Sequence, residues 1–199
     1  MNVLLWTVLG FLSGAIPYSV LVGRIAGKRD IRQYGDHNPG AANVLRAAGV
    51  GWGFLALLLD ALKGAIPVGI AWFLVELHGW QIVPVALAPI AGHAFSPFLK
   101  WQGGKAVAVT FGIWTGLTVG AAPTILGLLM GVFFATTSVS GWAVLFALLA
   151  FGGFLSLAYL PELPEFLLIW LGNLLLLAWK HRSELREPPR LRHWFRRKQ

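Results

Sequence analysis

GHAFSPFLKWQGGK, residues 92–105, decides how this chain folds. It sets His93, Ser96, Pro97, Lys100, Gly103, Gly104 and Lys105 between two long apolar runs. Greasy helices rarely need a polar, helix-breaking hinge of this kind unless something polar is held at the membrane surface. Glycines let a backbone approach a ligand closely, and their N–H groups beside a lysine make a cradle for an anion. An earlier stretch has the same character: GDHNPGAANVLR, residues 35–46. Two such stretches on one face of a membrane protein predict a site for a phosphate-bearing substrate.

The composition agrees with a membrane setting. Of the 199 residues, 57% are hydrophobic, and the mean hydropathy is +0.69. A soluble domain with this composition would lack the polar surface to cover itself. A spanning helix needs roughly 20 residues, so seven spans take about 140 and leave about 60 for loops and a tail. No separate soluble domain is expected. Cysteine is absent, which excludes a disulfide, a thiolate metal site and a cysteine nucleophile. The first apolar run, residues 3–22, has neither a basic leader nor a small-residue cleavage site, and reads as a retained helix.

The net charge is +8, and residues 180–199 carry eight of the sixteen Lys and Arg. Orientation in the membrane and attraction to anionic lipid account for that tail, either as an interfacial helix with Trp194 and Phe195 dipping in or as disordered chain. No soluble recognition module presents the charge to nucleic acid. Lys and Arg cluster at residues 24–46, 100–105 and the C-terminal tail, and all three clusters are expected on the cytoplasmic side. The N-terminus is then external, and residues 76–81 form an external turn. Residues 106–160 carry no charge. Glu162 and Glu165, beside Pro161 and Pro164, read as a second external turn. The uncharged stretch must therefore cross an odd number of times, and three crossings fit, with breaks near residues 120–123 and 136–141. The expectation is an all-α integral membrane protein of seven transmembrane helices, N-terminus outside and C-terminus inside, with polar cytoplasmic re-entrant-like hinges. Residues 1–180 form its single domain and residues 181–199 its basic tail.

Several residue types carry chemistry. Asn38-Pro39-Gly40 is a turn signal, and Asn38, Asn43 and Arg46 offer amide and guanidinium donors to a phosphate. The bland reading is a solvated loop of turn residues and orienting charges. His93 suits a general base, or a histidine bonded to a helix-end carbonyl. Lys105 after two glycines suits an anion ligand, although the flanking pattern is not that of a nucleotide-binding loop. Asp60 and Lys63 lie within an apolar run at a spacing that shares a helix face, as an ion pair or as substrate contacts. The ten tryptophans fall mostly near predicted helix ends, as an interfacial belt.

Three ordered motifs resemble the acyl-phosphate-dependent glycerol-3-phosphate acyltransferases of bacterial membranes, the PlsY type. These are DIRQYGDHNPGAANVLR from residue 30, LDALKGAIPV from residue 59 and GHAFSPFLKWQGGKAVAVT from residue 92, preceded by SGAIPYSVLVG from residue 13. The resemblance implies a seven-helix enzyme, working as a monomer in a bacterial plasma membrane without metal or other cofactor. Its substrates would be acyl phosphate and glycerol 3-phosphate, its surroundings membrane lipid, and its products lysophosphatidate and phosphate. It also implies His93 and Lys105 as catalytic residues. Asp36, Asn38, Asn43, Arg46, Ser96, Gly103, Gly104 and His181 would bind substrate.

The chain departs from the family pattern in places. Asp36-His37 stands for Ser-Gly, Ala42 for Thr, and Ala106 for the glycine after the hinge lysine. At the C-terminal end His181 and Arg182 remain, but Glu184 replaces an asparagine and Glu187 an arginine. A carboxylate beside a phosphate repels it unless a cation intervenes, and His37 is the sequence's candidate to offset Asp36. A transporter on this scaffold would break its helices near mid-membrane, whereas these hinges sit at one face.

Overall fold

Pro17 shapes the N-terminus. A proline has no N–H and forces the residue before it into extended backbone. Ile16 accordingly has ψ 122°, and the first apolar run forms two helices, α1 (Val3–Ala15) and α2 (Tyr18–Gly27), where the sequence predicted one. The computed structural model describes residues 2–27 and 30–192. The carbonyls freed at the break are met by side chains from elsewhere. Ser96 Oγ donates to Ala15 O at 2.6 Å, and Lys63 Nζ donates to Ile16 O at 2.8 Å. Broken helices survive in an apolar setting only when such partners exist.

The chain continues with α3 (Ala41–Ala48) and α4 (Val50–Gly69), which runs into a π turn over Ile70–Leu74. Then follow α5 (Ile82–Ala94), α6 (Val107–Thr118), α7 (Ala121–Thr136), α8 (Ser140–Ala158), α9 (Glu165–Lys180) and the short α10 (Arg182–Leu185). The breaks expected in the charge-free stretch fall at residues 119–120 and 137–139. Among the described residues, four segments are long and apolar enough to cross a membrane: Val3–Ala26, Val50–Leu74, Gly79–Leu99 and Ser140–Ala158. Two apolar helices, α6 and α7, are shorter. Large apolar side chains point outward, Leu157 being 88% exposed, which suits lipid and not water.

Inside the bundle Trp114 meets Phe151 and Phe166 edge-on, with centroids 5.1 and 5.6 Å away. The buried Asn173 amide donates to Thr110 at 2.9 Å, so this apolar core carries a polar side chain whose donor is satisfied. Helices α1 and α5 touch backbone to backbone at Gly92, where an added Cβ would lie 2.1 Å from Phe11 O. Gly92→Ala is therefore expected to push α1 from α5 and cost about 1–3 kcal/mol of stability. Thermal unfolding in detergent reads this as a lowered midpoint; an unchanged midpoint would mean the helices separate freely.

The turns sort onto two ends of the bundle. At one end Glu165 Oε1 accepts the Gly79 N–H at 3.1 Å, tying the loop before α5 to the start of α9. At the other end both polar hinges, the α7–α8 turn and the residues after α9 come together. Ser138 N donates to Arg190 O at 2.9 Å, and Arg192 N to Thr136 O at 2.7 Å, so residues 181–192 strap across that turn. Residues 193–199, with the tail's Trp194 and Phe195, lie outside the described residues.

Candidate functional site

The second hinge is built by backbone that turns left-handed three times. After α5 a 3₁₀ turn over Pro97–Leu99 leads to Lys100 and Trp101, at φ 54° and 65°, and Ala106 sits at φ 62° just before α6. The family pattern has glycine at the Ala106 position, where positive φ carries no steric cost; alanine adopts the same geometry under local strain. Gly103 and Gly104 serve packing within the hinge. A Cβ on Gly103 would lie 1.9 Å from His93 O, and one on Gly104 2.2 Å from His93 Nε2. Their lack of side chains lets the hinge close over His93. The Gly103 carbonyl accepts Lys180 Nζ at 2.8 Å, and Ala94 O accepts it at 3.0 Å.

The first hinge is a set of side-chain turns. Asp30 Oδ1 accepts the Arg32 N–H at 3.0 Å and its carboxylate pairs with the guanidinium at 2.6 Å, which holds the Asp30 carboxyl at about 2. Asn43, buried on α3, donates to Asp36 Oδ1 at 2.9 Å and Asn38 O at 2.8 Å. Its own oxygen accepts Arg46 Nη1 at 2.6 Å. Asn43 therefore holds three hinge residues in place, and Arg46 extends past it. His37 does not offset Asp36: its Nδ1 lies 2.8 Å from Arg32 O.

The cation that meets Asp36 is Lys105. Its Nζ donates to Asp36 Oδ2 at 2.5 Å and to Glu184 Oε1 of α10, so two carboxylates from opposite ends of the chain share one ammonium. Ser140, at the start of α8, donates to Glu184 Oε2 at 2.5 Å. Burial works against ionising Asp36 and Glu184, but hydrogen bonds and charge from Lys105 outweigh it, and both carboxyls are held below their usual values. Burial likewise opposes the Lys105 charge, and its two carboxylate partners more than reverse the effect. Burial pushes the His181 imidazole down, and its Nδ1 lies 2.8 Å from Leu177 O.

Two cavities meet at Asp36 and Lys105 of this triplet. One, of about 470 Å³, is polar and is lined by Arg32, Asp36, Asn38, Gly103, Lys105, Lys180, Arg182 and Arg186 among others. The other, of about 310 Å³, combines Asp36, Asn38, Arg46, Asp60, His93, Lys105, Ser140 and His181 with Leu57, Val107, Phe134 and Val144. Asp36, Asn38 and Lys105 belong to both. Of the residues expected in the site, Asp36, Asn38, Arg46, His93, Gly103, Lys105 and His181 line one or both cavities. Asn43, Ser96 and Gly104 do not; they hold the hinges. Sequence reasoning missed Lys180 and Ser140. Lys180 read as part of a charged tail, and Ser140 lies in the stretch without charge, where only the helix break marked it.

Asp60 and Lys63 form a buried pair at 2.6 Å, and Ser19 donates to the second Asp60 oxygen at 2.5 Å. His93 Nδ1 lies 4.0 Å from Asp60 Oδ1. The pair is thus a structural joint between α2 and α4, and Asp60 also backs His93.

Outward-facing apolar helices with a polar site recessed at one end define an integral membrane protein, and comparison with known proteins gives its class. Residues 4–188 match the family model of glycerol-3-phosphate acyltransferase. Glycerol-3-phosphate acyltransferase 1 of Thermotoga maritima is 39% identical over 188 residues, covering 88% of this chain and 92% of that protein. The Maridesulfovibrio salexigens glycerol-3-phosphate acyltransferase is 34% identical, with 91% and 90% covered. A crystal structure of PlsY, an integral membrane glycerol 3-phosphate acyltransferase, in its glycerol 3-phosphate form, superposes with a TM-score of 0.82 at 28% identity. It covers 92% of this chain and 90% of that one. The chain belongs to the glycerol-3-phosphate acyltransferase family.

Proposed function

We propose that this protein transfers a fatty acyl group from acyl phosphate to the 1-hydroxyl of glycerol 3-phosphate, giving lysophosphatidate and phosphate. The observation that carries this reading is the meeting of a cationic cavity and a partly apolar one at Lys105. Both substrates bring a phosphate and one brings an alkyl chain. A polar chamber that opens into an apolar one suits that pair. The chain crosses a bacterial plasma membrane seven times, with its N-terminus outside and the Lys105 end at the cytoplasmic face, where the positive charge gathers.

In the reaction the acceptor oxygen bonds to the acyl carbon, the bond from that carbon to the phosphate oxygen breaks, and the hydroxyl proton leaves. Acyl phosphate is already activated, so positioning and charge stabilisation supply much of the rate. Lys105 holds a phosphate and stabilises the negative charge that develops. Asn38 and Arg46 hold the second phosphoryl group. His93 accepts the proton. His93→Gln is expected to lower kcat by about 10²-fold with KM little changed. Nearly full turnover in that variant would assign the proton to the departing phosphate.

The test is acyl transfer by the purified protein in lipid vesicles, with palmitoyl phosphate and radiolabelled glycerol 3-phosphate. Labelled lysophosphatidate supports the reading. Consumption of palmitoyl phosphate without that product would mean transfer to water, and the acceptor would then be sought among molecules with an amine or extra hydroxyls, which Asp36 and Glu184 suit. No turnover and no binding of palmitoyl phosphate would make the chain a non-catalytic protein on this scaffold.

A further inference from the structure

The anion place beside Lys105 is already filled by the protein. Asp36 and Glu184 both accept from its ammonium, and Glu184 also takes the Ser140 hydroxyl. Two of the three donors of the ammonium are taken, so a substrate phosphate that engages more than one of them displaces a carboxylate. The two carboxylates are held differently. Asp36 Oδ1 is fixed by the Asn43 amide and by the Asn38 N–H at 3.3 Å. Among the described residues, the Glu184 carboxylate is held by Lys105 and Ser140. It sits on a four-residue helix, on a longer side chain with more rotamers.

We propose that Glu184 is an internal counter-anion of Lys105 that a phosphate displaces, so that the site binds phosphate by exchange. This deepens the acyltransferase reading, because it rests on Lys105 as a phosphate ligand. On displacement, the ammonium and the Ser140 hydroxyl both turn to the incoming oxygens, and the number of charge-assisted bonds is kept. A tethered carboxylate competes at a high effective concentration, so it sets a threshold on affinity. A phosphate monoester carries close to two charges at neutral pH and a carboxylate one. The exchange therefore favours phosphates over singly charged metabolites. The strap that carries Glu184 is anchored away from the triplet: Trp142 Nε1 donates to Glu187 O at 2.7 Å, and residues 190 and 192 bond to the α7–α8 turn. The side chain swings while the strap stays in place.

The experiment is calorimetric titration of inorganic phosphate into the full-length protein in phosphatidylcholine nanodiscs, for wild type, Glu184→Gln and Glu184→Asp. Glutamine removes the charge, and aspartate keeps it but draws it back by one methylene. Both variants are expected to bind phosphate about 10-fold more tightly than wild type. A residue with a merely structural role would weaken binding when changed. Unchanged or weaker phosphate binding in the variants overturns the exchange. Where acyl transfer is present, the substrate whose KM falls in Glu184→Gln, glycerol 3-phosphate or acyl phosphate, is the one whose phosphate makes the exchange, and a fall in neither overturns it. Tighter phosphate binding without any acyl transfer would leave the exchange standing and remove the proposed reaction. Transfer with phosphate binding unaffected by the variants would do the reverse.

Discussion

Replacing Lys105 with alanine is expected to lower kcat/KM for acyl transfer by about 10³-fold. The size of the effect follows from three losses at one atom. The ammonium is the cation common to both cavities, so its removal takes a charged donor from each. It also leaves Asp36 and Glu184 facing the same space without the charge that lies between them, and two carboxylates there repel an incoming phosphate. Finally, charge developing on the transferring group loses a preorganised partner, which raises the barrier as well as weakening binding. The measurement is initial rate against each substrate in vesicles, with thermal unfolding as the control for fold. Lys105→Arg should retain part of the activity, because it keeps the charge but not the point-like ammonium geometry. A Lys105→Ala variant with more than about a tenth of wild-type kcat/KM would take Lys105 out of the chemistry.

Lys63→Ala is expected to give the largest loss of stability, about 3–5 kcal/mol. Lys63 and Asp60 side chains are 1% and 2% exposed, so the aspartate left behind loses its ammonium with little solvent to replace it. The same ammonium also closes the carbonyl of Ile16 at the α1–α2 break, while Ser13 Oγ donates to the Lys63 carbonyl at 2.8 Å. One side chain thus neutralises a buried charge and repairs a broken helix. Denaturant unfolding in mixed micelles reads the loss. The double variant Asp60→Asn/Lys63→Met should recover part of it, because it removes both charges together. A loss below about 1 kcal/mol for Lys63→Ala would mean that water reaches the pair.

Much of this protein was legible in its sequence because membrane physics leaves few choices. Long apolar runs must become helices where no water satisfies the backbone. Polar, glycine-bearing stretches must then become the hinges between them. Residues 95–106 and 35–40 behave this way, while residues 41–46 belong to α3, and the charge-free stretch breaks near the glycines, proline and threonines that marked it. The motifs also carried the family, and most residues they named line the two cavities.

Other features depended on partners distant in sequence. The first apolar run read as one helix; Pro17 breaks it, and Ser96 and Lys63 close the break from 81 and 47 positions away from the carbonyls they serve. Gly103 and Gly104 suggested a ligand cradle by type; the fold packs both against His93, and Gly103 also lines the polar cavity. Asp60 and Lys63 had two readings of equal standing; the fold forms the ion pair with Ser19 against it, and Asp60 also lines the partly apolar cavity. Ser96 had the chemistry of a ligand, and its hydroxyl instead serves α1.

By itself the sequence determined the helical class, the membrane setting, the two hinges and the family. All of these follow from local runs of hydrophobicity, charge and motif. Packing settled what local sequence left open: Lys105, and not His37, is the cation that meets Asp36, and it meets Glu184 as well. That outcome depends on three segments separated by 69 and 79 positions meeting at one atom. Coulombic pairing depends on distance in space, and distance in space is set by how the helices pack.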